Sequence, residues 1–162
     1  MTSGNDAFAS FYHEHAPRVY MLALRLCAGD DNDASEVLSE TFVSAWRGLP
    51  RFRGDSNVST WLHTIAVRGW RGVQRRRGRG RPMVDLDESA YGIAAQYDEP
   101  GCRMDLEKAV ASLPEGAREV IILFAIEGYS HPEIAGMLGI SVGTVKSQVH
   151  RARKLLSERL DR

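Results

Sequence analysis

Apolar residues recur three and four apart along most of the chain, the spacing that puts side chains on one face of a helix. From about Asn5 to Cys27 the repeating positions are Phe8, Phe11, Tyr12, Val19, Leu22 and Leu26. Pro17 falls inside this stretch. Proline removes a backbone donor and crowds the preceding turn, so a bend or a division into two helices is expected there. Gly29–Asn32 reads as a turn. Asp33 is placed to cap a helix reaching about Trp46, with Val37, Leu38, Thr41, Phe42 and Trp46 inside and Glu36 and Glu40 outside. Leu49 to Asn57 is irregular, with Pro50, Gly54 and Asp55. A third helix is predicted from about Thr60, through Trp61, Leu62, Ile65 and Ala66, towards Arg76. Trp61 and Trp70 fall on opposite sides of an ideal helix, and Trp61 is assigned to the core and Trp70 to a half-exposed position.

The period is lost from Gly78 to Gly101, where Gly and Pro alternate with acidic residues in the manner of a linker. It returns at Asp105 with Leu106–Leu113, breaks at Pro114, and resumes over Arg118–Glu127. No stretch of useful length alternates as a strand would. The pattern predicts an all-α fold: two small helical domains, residues 5–77 and 105–162, joined by a flexible linker over 78–104.

Tyr129–Leu156 carries the sharpest local signal. Ser130 and Glu133 have the spacing of a capping box, Tyr129 and Ile134 that of a hydrophobic staple, and Pro132 sits in the first turn, where it costs no hydrogen bond. Ile134 and Leu138 share one face. Gly139 can end the helix in the left-handed conformation, and Ile140 is expected to pack inward. Ser141 then caps a second helix whose buried stripe is Val145, Val149 and Ala152. Its other face holds Lys146, Ser147, His150, Arg151 and Lys154. Two short helices with a tight turn, the second basic, are how a chain places a helix in the DNA major groove. The second domain is therefore read as a helix-turn-helix.

Charge changes the picture more than composition does. The 162 residues carry no net charge, and the hydrophobic content of 43% is ordinary for a folded protein. Yet the charges are segregated: −4 over residues 1–50, +8 over 51–82, −5 over 83–108 and +1 over 109–162. The basic block contains Arg51, Arg53, Arg68, Arg71, Arg75, Arg76, Arg77, Arg79 and Arg81, a density suited to a polyanion. The polar loop Gly54–Asn57 precedes its helix, and such loops beside cationic helices can hold unstacked bases.

Other chemistry is not expected. His13–Glu14–His15 invites a metal, but residues two apart on a helix face different ways. His63, His131 and His150 share no ligand spacing, and there is no phosphate loop or nucleophile–base pattern. No metal, cofactor or enzymatic activity is predicted. No apolar run approaches a membrane span, and the polar start MTSGNDAFAS is unlike a signal peptide. Cys27 and Cys102 lie in no metal or redox spacing, so a reducing cytoplasm is the expected setting, with no disulfide.

Three stretches in order resemble the compact extracytoplasmic-function (ECF) sigma factors of bacterial RNA polymerase. Asp33–Trp46 (DASEVLSETFVSAW) resembles the helix with which that family grips the polymerase clamp. Phe52–Ala66 (FRGDSNVSTWLHTIA), followed by Arg75 and Arg76, resembles its promoter-melting segment. Gly143–Arg153 (GTVKSQVHRAR) resembles its recognition helix.

The resemblance implies a clamp-binding surface at Asp33, Glu36, Ser39 and Glu40. It implies a minus-ten site at Gly54, Asp55, Ser56, Asn57, Arg68, Arg75 and Arg76, with the loop holding a base flipped from the non-template strand. Lys146, Ser147, Gln148, His150, Arg151 and Lys154 would face the minus-35 element. Core RNA polymerase, promoter DNA and an anti-sigma factor are the implied partners, and the acidic linker would thread the polymerase channel. Ser39, Arg68, Gly72 and Gln148 depart from residues frequent in the family. The competing reading is a stand-alone helix-turn-helix regulator with residues 1–80 as a dimerisation or effector domain.

Overall fold

Pro17 does not divide the first helix. In the computed structural model, which describes residues 4–78 and 102–161 with side chains from Asp105 onward in the latter, α1 runs unbroken over Gly4–Leu26. The lost backbone bond is offset by burial on both sides of the proline. Before it, Phe8, Phe11 and Tyr12 all meet Phe42; after it, Val19, Leu22, Ala23 and Leu26 are buried. The described residues belong to two compact units, Met1–Gly80 and Arg81–Arg162. All regular elements described are helical. The residues assigned to the linker, with Arg79, Arg81 and the Cys102 side chain, lie outside what is described, apart from Gly78 and the start of the fourth helix.

The first unit is built from α1, α2 (Asp31–Gly48) and α3 (Val58–Arg76), each packed on the other two. Asp30, not Asp33, caps α2: its side chain accepts the Asp33 backbone N–H at 3.0 Å. Either carboxylate could serve from sequence alone, but the helix begins earlier than the apolar period suggests. Val37, Thr41 and Phe42 are buried as expected, and the Thr41 hydroxyl donates to the Val37 carbonyl at 2.7 Å. Trp46 is 48% exposed, resting edge-on against Phe8, so its assignment to the inner face is corrected. Asn57 caps α3 by accepting the Ser59 N–H at 2.8 Å.

The two α3 tryptophans are the reverse of expectation. Trp70 is 2% exposed and Trp61 only half-buried. Leu62, Ala66, Trp70 and Val73 follow one another at four, four and three residues, which is a single buried stripe. Trp61 lies off that stripe, its ring 4.8 Å from Phe52 and beside Gly48, where a Cβ would come within 3.2 Å of the indole.

In the second unit α7 (Val142–Leu160) is the spine. α4 (Cys102–Ala111), α5 (Glu115–Ile121) and α6 (His131–Leu138) all pack on it. α5 continues into one wide π turn over Ile122–Ile126, closed by Glu127 N–H to the Ile122 carbonyl at 3.0 Å. The Ser130–Glu133 capping box is complete, with bonds of 3.2 and 3.3 Å, and Gly139 has φ +67°. Ser141 caps α7 through the Thr144 N–H at 3.0 Å. Ile140 is half-buried rather than fully inside.

Candidate nucleic-acid and partner interfaces

α7 presents Lys146, Ser147, His150 and Lys154 to solvent on one face. The buried face is Val145, Gln148, Val149, Ala152 and Leu155. Gln148 therefore does not join the outward set: it is 6% exposed, three residues after Val145 and four before Ala152. That spacing was visible in the sequence and is the reason for the correction. Its Oε1 has no hydrogen-bond partner among the described residues. Arg151 is half-buried at the rim between the two faces. The Ser147 hydroxyl is turned back onto its own helix, 3.2 Å from the Gly143 and Thr144 carbonyls. Arg153 lies over the Phe124 ring at 5.3 Å, and Phe124 stacks on His131 at 4.8 Å. No local pattern announces these Phe124 contacts, which tie the π turn to both helices of the hairpin.

In the first unit Gly54, Asp55, Ser56 and Asn57 are all exposed, and Gly54 turns the loop with φ +74°. The Asn57 side-chain oxygen is engaged by its cap, which leaves the amide N–H groups for an outside acceptor. From Asn57 one face of α3 passes through Trp61, Thr64, Arg68, Arg71 and Arg75, at spacings of three and four. Arg68 and Arg75 are exposed on it, and Arg71 is half-buried. Arg76 is not on this stripe. Its guanidinium turns to α2, pairing with Glu40 and, at 3.4 Å, with Glu36.

The acids of α2 are correspondingly different from expectation. Asp33 is 1% exposed and forms an ion pair with Arg77, so it is no surface acid. Arg77 also reaches Glu36 at 2.6 Å. Glu36 and Glu40 remain half-exposed, and Ser39 is exposed. Ser39 borders an open apolar groove of about 570 Å³ lined by Phe8, Tyr12, Phe42, Val43, Trp46 and Arg47. Elsewhere in this unit His63 is buried. Burial, with the nearby Arg18 charge, lowers its pKa from 6.5 to about 4.

Among the described residues no three His, Cys, Asp or Glu side chains gather as a metal site would need. His15 instead packs on Phe11 at 4.7 Å. Cys27 is buried at 6%. No described helix is long and apolar enough to cross a membrane.

A three-helix unit with a polar loop leading into an arginine stripe thus precedes a helical unit with an outward basic helix. The sigma-70 region 2 family model matches residues 11–80, the whole of that loop and stripe. The sigma-70 region 4 model matches residues 103–156, which include the outward face of α7. Over 154 residues the chain is 34% identical to the ECF RNA polymerase sigma factor SigM of Mycobacterium tuberculosis, covering 95% of this chain and 77% of that protein. This chain belongs to the ECF sigma factor family.

It is also 36% identical over 154 residues to the ECF RNA polymerase sigma factor SigE of Mycolicibacterium smegmatis, covering 91% of this chain and 59% of that protein. Among solved structures it resembles the sigma factor RpoE in complex with the anti-sigma factor NepR from Bartonella quintana. That match has a TM-score of 0.71 and 31% identity, over 96% of this chain and 97% of that one. In this sigma factor the region 2 match covers α2, α3 and most of α1, and the region 4 match runs from the start of α4 to Leu156 in α7.

Proposed function

We propose that this sigma factor binds core RNA polymerase and directs initiation at particular promoters, acting by binding and not by catalysis. The observation that carries this reading is the presence of both regions, in order, on one chain. In region 4, α7 reads the minus-35 element in the major groove, with Lys146, His150 and Lys154 on the outward face and Arg151 at its edge. In region 2, the 54–57 loop holds an extruded base of the minus-ten element. Arg68 and Arg75 then carry the phosphates of the opened strand along α3.

Extrusion needs no hydrolysis: contacts to the flipped base and its backbone offset the few kcal/mol of unstacking. The polymerase would meet the outward side of α2, at Glu36, Ser39 and Glu40. Asp33 holds that helix to α3 from inside. A soluble cytoplasmic setting and control by an anti-sigma factor follow from the same reading. The likeness to a sigma factor captured with its anti-sigma factor supports the second.

Transcription with purified core polymerase on a promoter library tests the proposal. A promoter-specific transcript that depends on this chain is the expected result. Tight binding to a palindromic operator by a stable dimer, with no such transcript, would establish the stand-alone regulator instead.

A further inference from the structure

The end of α3 meets the start of α2 through four charged contacts of two kinds. The Arg77–Asp33 pair is closed on the acid's side: the Asp33 side chain is 2% exposed, against 36% for Arg77. The Arg76 contacts are open. The Arg76 side chain is 53% exposed, Glu36 37% and Glu40 39%. Open ion pairs are individually weak, so a strongly charged partner can displace them. The two sides of the open pair also belong to different interfaces. Glu36 and Glu40 lie on the α2 face assigned to polymerase, and Arg76 continues the cationic end of α3 next to Arg75.

We infer that Arg76 with Glu36 and Glu40 forms an intramolecular latch that couples the two interfaces of region 2. In the free chain the two acids neutralise Arg76, which in turn neutralises Glu40 and shares Glu36 with Arg77. A basic protein surface docking on Glu36 and Glu40 releases Arg76 to a nucleic-acid phosphate. A phosphate on Arg76 likewise exposes Glu40 to the protein and leaves Glu36 with Arg77 alone. Each partner therefore raises affinity for the other by the same factor, as linkage requires. Arg77 keeps its bonds to Asp33 and to Glu36, at 2.6 Å, and so holds the frame within which Arg76 swings. The inference rests on the reading of α2 and α3 as protein and nucleic-acid faces.

The test uses the full chain and a fluorescein-labelled single-stranded DNA 20-mer of mixed sequence, without polymerase. Glu36→Gln combined with Glu40→Gln is expected to tighten binding about threefold to tenfold, the equivalent of two surface ion pairs. Removing acids also favours any polyanion non-specifically. The same pair of changes is therefore made in an Arg76→Ala background, where the gain should fall to less than about twofold. An equal gain in both backgrounds overturns the latch. Binding to core polymerase gives the reciprocal reading: Arg76→Ala should tighten it, and unchanged or weaker binding counts against the latch. Should the wild-type chain fail to bind core polymerase, the proposed function falls, while the oligonucleotide arms still decide the latch.

Discussion

α3 and α7 are two basic helices of 19 residues each, and they treat their charges differently. Both bury a stripe of apolar side chains and turn cations the other way. α3 packs beside α2, whose first turns carry acids, so its last arginines are drawn inward: Arg77 to Asp33 and Glu36, Arg76 to Glu36 and Glu40. α7 packs against α4, α5 and α6, and Lys146, His150 and Lys154 face solvent with no ion pair among the described residues. The helix from the more basic stretch of sequence is thus the one whose charge is partly neutralised. Charge density along a sequence measures how many cations there are. Packing decides how many of them a partner can reach.

The contrast can be broken first at its apolar base. If α3 is held by its buried stripe, Trp70→Ala should cost about 3–5 kcal/mol, as large-to-small changes at fully buried aromatics do. Trp61→Ala should cost clearly less, since that ring is half-exposed and leans on Phe52. Urea unfolding of each variant followed by circular dichroism measures both. Equal losses, or a larger loss at Trp61, would remove the packing argument for which face of α3 points outward.

A pH dependence sharpens the comparison further. His63 in region 2 has its pKa lowered to about 4 by burial and by Arg18. The unfolded chain takes up this proton near pH 6.5 and the folded chain refuses it until about pH 4. The contribution is therefore complete above pH 6.5 and is lost as the pH falls towards 4, by up to about 3 kcal/mol. Urea midpoints between pH 7 and pH 4, for the chain and for His63→Gln, check it. The slope should flatten in the variant, and an unchanged slope would assign the acid sensitivity to other groups.

Much of this architecture was legible before any coordinates. The helix-turn-helix was readable because its signals are local: a capping box, a left-handed glycine and a second cap lie within a dozen residues and need no distant partner. The all-α class followed from periodicity in the same way. What failed depended on neighbours. Pro17 reads as a break because its local cost is plain, whereas the contacts that offset it come from Phe42 on another helix. Asp33 reads as a surface cap because Arg77, with which it pairs, is 44 residues away. Arg76 reads as a nucleic-acid contact, and its pairing with Glu36 and Glu40 does not show in the local pattern because those acids lie 40 and 36 residues away. Gln148 is a different case, because the stripe of Val145, Val149 and Ala152 already contained its position. Its polarity argues for the surface and its phase for the core, and the phase decides.

That misplacement yields the finest test of the two helices. Arg151→Ala, at the rim of the outward face, should weaken minus-35 recognition by about 1–3 kcal/mol if the contact to guanine is bidentate. Gln148 should behave in the opposite way. It lies among Val145, Val149 and Ala152, and its buried Oε1 has no partner among the described residues. An apolar side chain of similar size removes that unsatisfied acceptor and keeps the packing. Gln148→Leu should therefore leave stability unchanged or raise it by about 1 kcal/mol. It should also leave promoter preference where it was, since the side chain does not reach the outward face proposed to meet DNA. Binding to a randomised minus-35 library, scored beside urea unfolding, separates the two roles. A shift in base preference with Gln148→Leu would mean that α7 rotates on its partners when it enters the groove. The outward face would then have to be redrawn around Gln148.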